Sequence, residues 1–138
     1  MIAGLKIGLL GHGRFGAALG GLLSQAGYHW RGWDPHCDVP APHRVTDPET
    51  LIDGVGLIIL AVPVRALEPT LRRIERRLQS GQQLLDVCSV KQEPCRLMQE
   101  ILGATIGHAG CHPLFGPLSI ARADPLRTIV CPSPDHPR

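Results

Sequence analysis

Short apolar runs alternate along the chain with stretches in which apolar side chains recur every three or four residues, the pattern of strand–helix units repeated around a parallel sheet. The run 5–10 predicts a first strand, and 14–26 a helix with Phe15, Leu19, Leu22 and Ala26 on one face and Gly27 as its stop. Residues 28–33 predict a second strand, and the proline-rich stretch 34–42 a loop. Val45 predicts a short third strand, after which Asp47, Pro48 and Glu49 open a small helix with a cap and a proline at its first position. The strongest strand is 57–62, apolar throughout and suited to burial on both faces. A helix follows Pro63, with Leu67, Leu71, Ile74 and Leu78 at helical spacing, which requires Pro69 to lie in its first turn. Strands over 84–88, 105–110 and 127–131, and a helix carrying Leu97, Met98 and Ile101, complete the set.

This order predicts a Rossmann-type, doubly wound α/β fold with a mainly parallel sheet and helices on both faces. The Val45 strand is expected outermost, then the second and first strands, then the rest in chain order, with the last running antiparallel. Residues 1–131 read as one dinucleotide-binding domain, and 132–138 as a polar, proline-rich tail expected to fray.

Composition narrows the class. Apolar residues make up 43% of the 138, enough for a core, while aromatics at 4% leave that core to Leu, Ile, Val and Ala. A net charge of +2 gives no reason to expect nucleic acid or an anionic membrane surface as partner. The arginines of 72–77 read as the solvent face of a helix. Five cysteines, Cys37, Cys88, Cys95, Cys111 and Cys131, show no C-x-x-C spacing, so no metal site is expected and free thiols in a reducing compartment are. Cys88 and Cys131 fall in runs that read as buried strands. With no long apolar run and no basic leader at the start, the expectation is a soluble, cytoplasmic chain.

The chemistry begins at Gly11, His12, Gly13, Arg14, Phe15 and Gly16, a G-x-G-x-x-G that follows a strand and opens a helix. Gly11 permits the tight turn, Gly13 lets backbone approach a pyrophosphate, and Gly16 lets helix and strand pack closely. The helix N-terminus offers N–H groups and the positive end of its dipole to the anion. Asp34, at the end of the second strand, is placed to accept hydrogen bonds from the adenosine ribose. Its carboxylate would repel a 2′-phosphate, which predicts NAD over NADP, with Arg31 and His36 near enough in sequence to blur the preference. In an open α/β sheet the remaining ligand contacts come from the carboxyl ends of the strands. Those ends carry Ala61, Val62 and Pro63, then Ser89 and Lys91, then His112 within the stretch His-Pro-Leu-Phe-Gly-Pro.

Together and in this order, these residues resemble the N-terminal domain of the prephenate and arogenate dehydrogenases of tyrosine biosynthesis. The resemblance runs from the glycine loop to about Cys131, and the Ser-Val-Lys turn and the His112 stretch are its specific parts. It implies NAD(P)-dependent oxidative decarboxylation of a cyclohexadienol, with His112 assisting removal of the hydroxyl proton and Ser89 beside the nicotinamide. Imidazole is suited to that role because it exchanges a proton near neutral pH. Lys91 reads equally as a cation for the substrate and as a structural residue. Family members add a helical second domain that supplies cations for the substrate carboxylates and forms the dimer, and these 138 residues cover only the first domain. Arg122 and Arg127 match no family role, and Leu118 stands where relatives often carry an acid. Two readings follow: a minimal dehydrogenase, self-associating as a homodimer or meeting a partner through the face near His112, or a non-catalytic dinucleotide-binding module that needs a separate substrate-binding partner. A third, a reductase of imines or deazaflavin cofactors, fits the Ser89 and His112 segments poorly.

Overall fold

The computed structural model describes residues 2–135; His136, Pro137 and Arg138, part of the expected tail, lie outside the described residues. Six strands form one sheet: β1 (Lys6–Leu10), β2 (His29–Trp33), β3 (Leu57–Leu60), β4 (Gln83–Asp86), β5 (Gly107–Pro113) and β6 (Thr128–Pro132), in the order β2-β1-β3-β4-β5-β6. All neighbours are parallel except β5 and β6. The expected order holds, antiparallel last strand included, with one reduction. Near Val45 only a single parallel bridge, Gly32 to Arg44, flanks β2. The proline-rich approach leaves too few backbone donors for a longer ladder.

The helices are α1 (Arg14–Gln25), α2 (Pro48–Ile52), α3 (Val64–Ile74), α4 (Gln92–Leu102) and α5 (Pro117–Ala121). Asp47 caps α2 by accepting the Thr50 N–H at 2.6 Å. Two apolar clusters divide the core across the sheet. On one face, Leu51 of α2, Leu67 and Leu71 of α3, and Leu97 and Met98 of α4 pack on Leu10, Ile58, Leu60 and Leu84. On the other, Leu19 and Leu23 of α1 join Ile7, Leu9, Trp30 and Ile59. The helices therefore cover both faces, as the doubly wound reading requires.

Four expectations need correction. The buried stripe of α1 is Gly16 and Gly20 with Leu19 and Leu23, not Phe15, Leu22 and Ala26. Close approach selects it: a Cβ on Gly20 would lie 2.8 Å from the Trp30 ring. Pro69 sits in the second turn of α3, and the helix continues through it to Ile74. Cys131 is only half-buried because β6 is an edge strand. Up to Asp135 the tail is docked: Ser133 is buried and donates to Gln99 Oε1 on α4 at 2.8 Å.

Candidate functional site

The carboxyl ends of β1, β3 and β4 open into a cavity of about 870 Å³, within the range of a nucleotide site. Its floor is the glycine loop. Gly11 has φ +98°, and a Cβ there would lie 2.3 Å from the Ala61 carbonyl oxygen, so only glycine fits. A Cβ on Gly16 would lie equally close to the Gly11 carbonyl, at 2.3 Å. Gly13 has nothing within 4 Å of its Cβ position and lines the cavity, so backbone is open to an incoming ligand. No side chain caps α1 or α3, and both N-termini border the cavity, with Arg14 and Arg65 beside them. Two positive helix ends, with Arg14 and Arg65 at them, thus border one space, the electrostatics an anion needs.

Asp34 stands at the far wall. Its carboxylate accepts the His12 N–H at 2.6 Å on Oδ2, and those of His36 at 2.7 Å and Cys37 at 2.8 Å on Oδ1. Partial burial pushes its pKa up, but these three bonds outweigh that and hold it below the ordinary 3.8. It stays ionised, and Oδ2, with one protein donor, keeps a lone pair for a ribose hydroxyl. Arg31 is turned away from it, donating to the Asp53 carbonyl. His12 contributes backbone only. Its ring donates from Nδ1 to the Asp38 carbonyl at 2.7 Å and stacks at 5.9 Å on Trp30, bracing the loop.

At the opposite end the cavity wall is Val62, Pro63, Val87, Cys88, Ser89 and Pro113. Ser89 and His112 are brought together: His112 Nδ1 donates to the Ser89 carbonyl at 2.6 Å. A carbonyl can only accept, so Nδ1 carries the hydrogen and neutral His112 presents the Nε2 lone pair. Strand β5 runs through His112 to Pro113, further than the apolar pattern suggested, because β6 pairs Ile129 with His112. Phe115 beyond it meets Phe15 of the glycine loop with centroids 5.8 Å apart, tying the His112 segment to the cofactor wall. Lys91 is engaged within the fold. Its ammonium pairs with the fully buried Asp86 carboxylate and donates to the Cys111 carbonyl at 2.8 Å, bridging β4 to β5. Cys88 is kept a neutral thiol: burial first, then the Asp86 carboxylate beside it, push its pKa up to about 12.

A family model described as the nucleotide-binding domain of prephenate dehydrogenase matches residues 40–129. The chain belongs to that family. Among curated relatives, a probable arogenate/prephenate dehydrogenase of Methanocaldococcus jannaschii is 28% identical over 80 residues, covering 58% of this chain and 17% of the relative. The T-protein of Haemophilus influenzae is 33% identical over 69 residues, covering 49% of this chain and 18% of that protein. Among solved structures, the arogenate dehydrogenase of Synechocystis superposes with a TM-score of 0.79 at 21% identity, over 97% of this chain and 52% of that one. A pyrroline carboxylate reductase of Plasmodium falciparum with NADP bound gives 0.78 at 18% identity, over 98% of this chain and 50% of that one. At such identities these superpositions speak for the fold alone. The chain aligns with less than a fifth of the curated relatives' length and about half of the solved structures.

Membership makes this a nucleotide-binding domain of an oxidoreductase family, and the cradle around Gly13 and Asp34 suits a nicotinamide dinucleotide. No helix among the described residues is long and apolar enough to cross a membrane. Several cavity residues had escaped the sequence reading. Trp33 carries Arg73 5.5 Å from its ring centroid, and Arg73 also makes a paired contact with Glu49. Trp33 adjoins Asp34 and could have been noticed. Arg73 could not, because its arginine-rich helix face gives no sign of which member turns inward. Helix α5 was also missed, although Gly116 and Pro117 form a common helix start.

Proposed function

We propose that this domain binds NAD and serves the oxidative decarboxylation of prephenate or arogenate, with His112 taking the ring hydroxyl proton. The observation that carries this reading is the bond from His112 Nδ1 to the carbonyl of Ser89, a residue of the cavity wall, which fixes the ring and leaves Nε2 as its acceptor. When bound, the dinucleotide supplies the hydride acceptor. Gly11 and Gly13 shape the loop for its pyrophosphate, the α1 N-terminus and Arg14 offset the charge, Phe15, Gly16, Ala61, Val62 and Pro63 pack around it, and Asp34 takes the ribose. Asp34 favours NAD, since a 2′-phosphate would meet its charge.

With Lys91 engaged by Asp86, the reading gives the substrate carboxylate to Arg65, which lines the cavity. The exposed apolar side chains Leu114, Leu118, Leu126, Ile129 and Val130 favour a second element of the reading: the substrate side is completed by association, with another copy or a partner. Turnover assays with prephenate and with arogenate, each with NAD and NADP, test the function. Reduction of NAD with release of carbon dioxide is expected. Tight dinucleotide binding without turnover on either substrate, alone or with added partner, would reduce the domain to a non-catalytic binding module.

A further inference from the structure

On the sheet face away from α1, helix α4 and edge strand β6 each bring a cysteine to Gly110. Gly110 of β5 pairs with Cys131 of β6. A Cβ built on Gly110 would lie 2.7 Å from Cys95 Sγ, 3.2 Å from Lys91 Cδ and 3.6 Å from Cys131 Cβ, so both cysteines and the Lys91 stem border the notch that the missing side chain leaves. The next contact along the same seam is the 2.8 Å bond from Ser133 to Gln99. Gln99 lies one helical turn beyond Cys95, about 6 Å of rise. Ser133 lies two strand residues beyond Cys131, about 6.6 Å. The two elements advance in step, so the seam that joins Gln99 to Ser133 also aligns Cys95 with Cys131. The electrostatics agree: burial first, then the neighbouring Cys131, push the Cys95 thiol up. These thiols do not make a metal centre, since no group of three His, Cys, Asp or Glu among the described residues is arranged to hold an ion.

We propose that Cys95 and Cys131 are a dithiol modification site, oxidised by small-molecule disulfides to a bond that staples β6 onto α4. Both are half-buried and reachable, whereas Cys88 and Cys111 are buried and Cys37 is exposed without a neighbouring cysteine in its loop. One cysteine gives up its proton and its thiolate attacks a sulfur of the disulfide, whose S–S bond breaks and releases one thiolate. The second cysteine, deprotonated, then attacks the mixed disulfide and expels the other half. The protein dithiol loses two electrons and two protons, and one disulfide becomes two thiols. The new bond closes the segment that carries β5, His112 and α5, and it holds the β5–β6 register in which Ile129 faces His112.

The test uses the Cys37→Ser chain, incubated folded with oxidised glutathione in mildly alkaline buffer and then digested with trypsin without reduction. Peptides 92–96 and 128–138, each with a single cysteine, are expected joined and two hydrogens lighter than their sum. The linked chain is expected to melt at a higher temperature than the reduced one, and a further Cys95→Ser change should abolish both the link and the shift. Glutathione adducts without the link, or a link that forms only in urea, would overturn the proposal.

Discussion

At Asp34 three backbone N–H groups converge on one carboxylate, so a single side chain both orders the loop 34–38 and faces the cavity. Asp34→Ala is expected to weaken NAD by about 1.5–3 kcal/mol for each charged hydrogen bond lost, a rise in Kd of at least about tenfold. Calorimetric titration of both dinucleotides checks it, and tighter NADP binding by the unaltered chain would reverse the assigned preference. His112 makes a sharper claim. His112→Asn should lower turnover by about 10²–10⁴ while leaving dinucleotide affinity unchanged, because the ring acts on the substrate hydroxyl and not on the cofactor. Full turnover in that variant would remove His112 from the mechanism.

Two elements show how charge holds the frame that carries these residues. The Thr50 backbone N–H, with the Thr50 and Thr46 side chains, lowers the pKa of the Asp47 cap from 3.8 to about 2. A depressed folded pKa means that Asp47 stabilises the chain above the unfolded value and ceases to as pH falls through the folded one. The stability advantage over Asp47→Asn should therefore be constant near neutral pH and shrink between about pH 4 and pH 2, as followed by urea unfolding. The second element is the β4–β5 junction, where Lys91 neutralises a carboxylate with no exposed surface. Removing one partner leaves a buried charge unpaired, so Lys91→Ala should cost about 3–5 kcal/mol in equilibrium unfolding. A loss under about 1 kcal/mol would mean that the pair is hydrated, and would reopen Lys91 as a substrate contact.

For the molecule as a whole, the asymmetry of the sheet matters. The β2 side is closed by the loop and bridge at Arg44, whereas β6 is an edge with Ile129 and Val130 exposed, and Leu114, Leu118 and Leu126 are exposed as well. Unpaired strand edges and exposed large apolar side chains both favour association. The chain is therefore expected to self-associate, most simply as a two-fold dimer, and Leu118→Glu should shift it toward monomer without loss of nucleotide affinity. Light scattering across a concentration series decides this, and a monomer at high concentration would contradict it.

Local pattern was sufficient for the fold class. Apolar runs, glycine stops and the proline-led helix at Asp47 are read over a few residues, and the right-handed strand–helix connection then leaves few possible strand orders. The glycine loop was legible for the same reason, since Gly11 and Gly16 answer to backbone geometry within one strand–turn–helix unit. The open-sheet rule put Ser89 and His112 at one edge, but their pairing was anticipated only through family resemblance, because 23 residues and a helix separate them. What the chain pattern left open was decided by contacts between elements. Lys91 became a structural ion because the fold buried Asp86 beside it, and His12 became a brace because Trp30 lay beneath its ring. Arg73 was drawn to Trp33 by the packing of α3, and Cys95 and Cys131 approach one position because Gly110 has no side chain there. A side chain's type is written in the sequence, but its partner depends on which distant surfaces the sheet brings together.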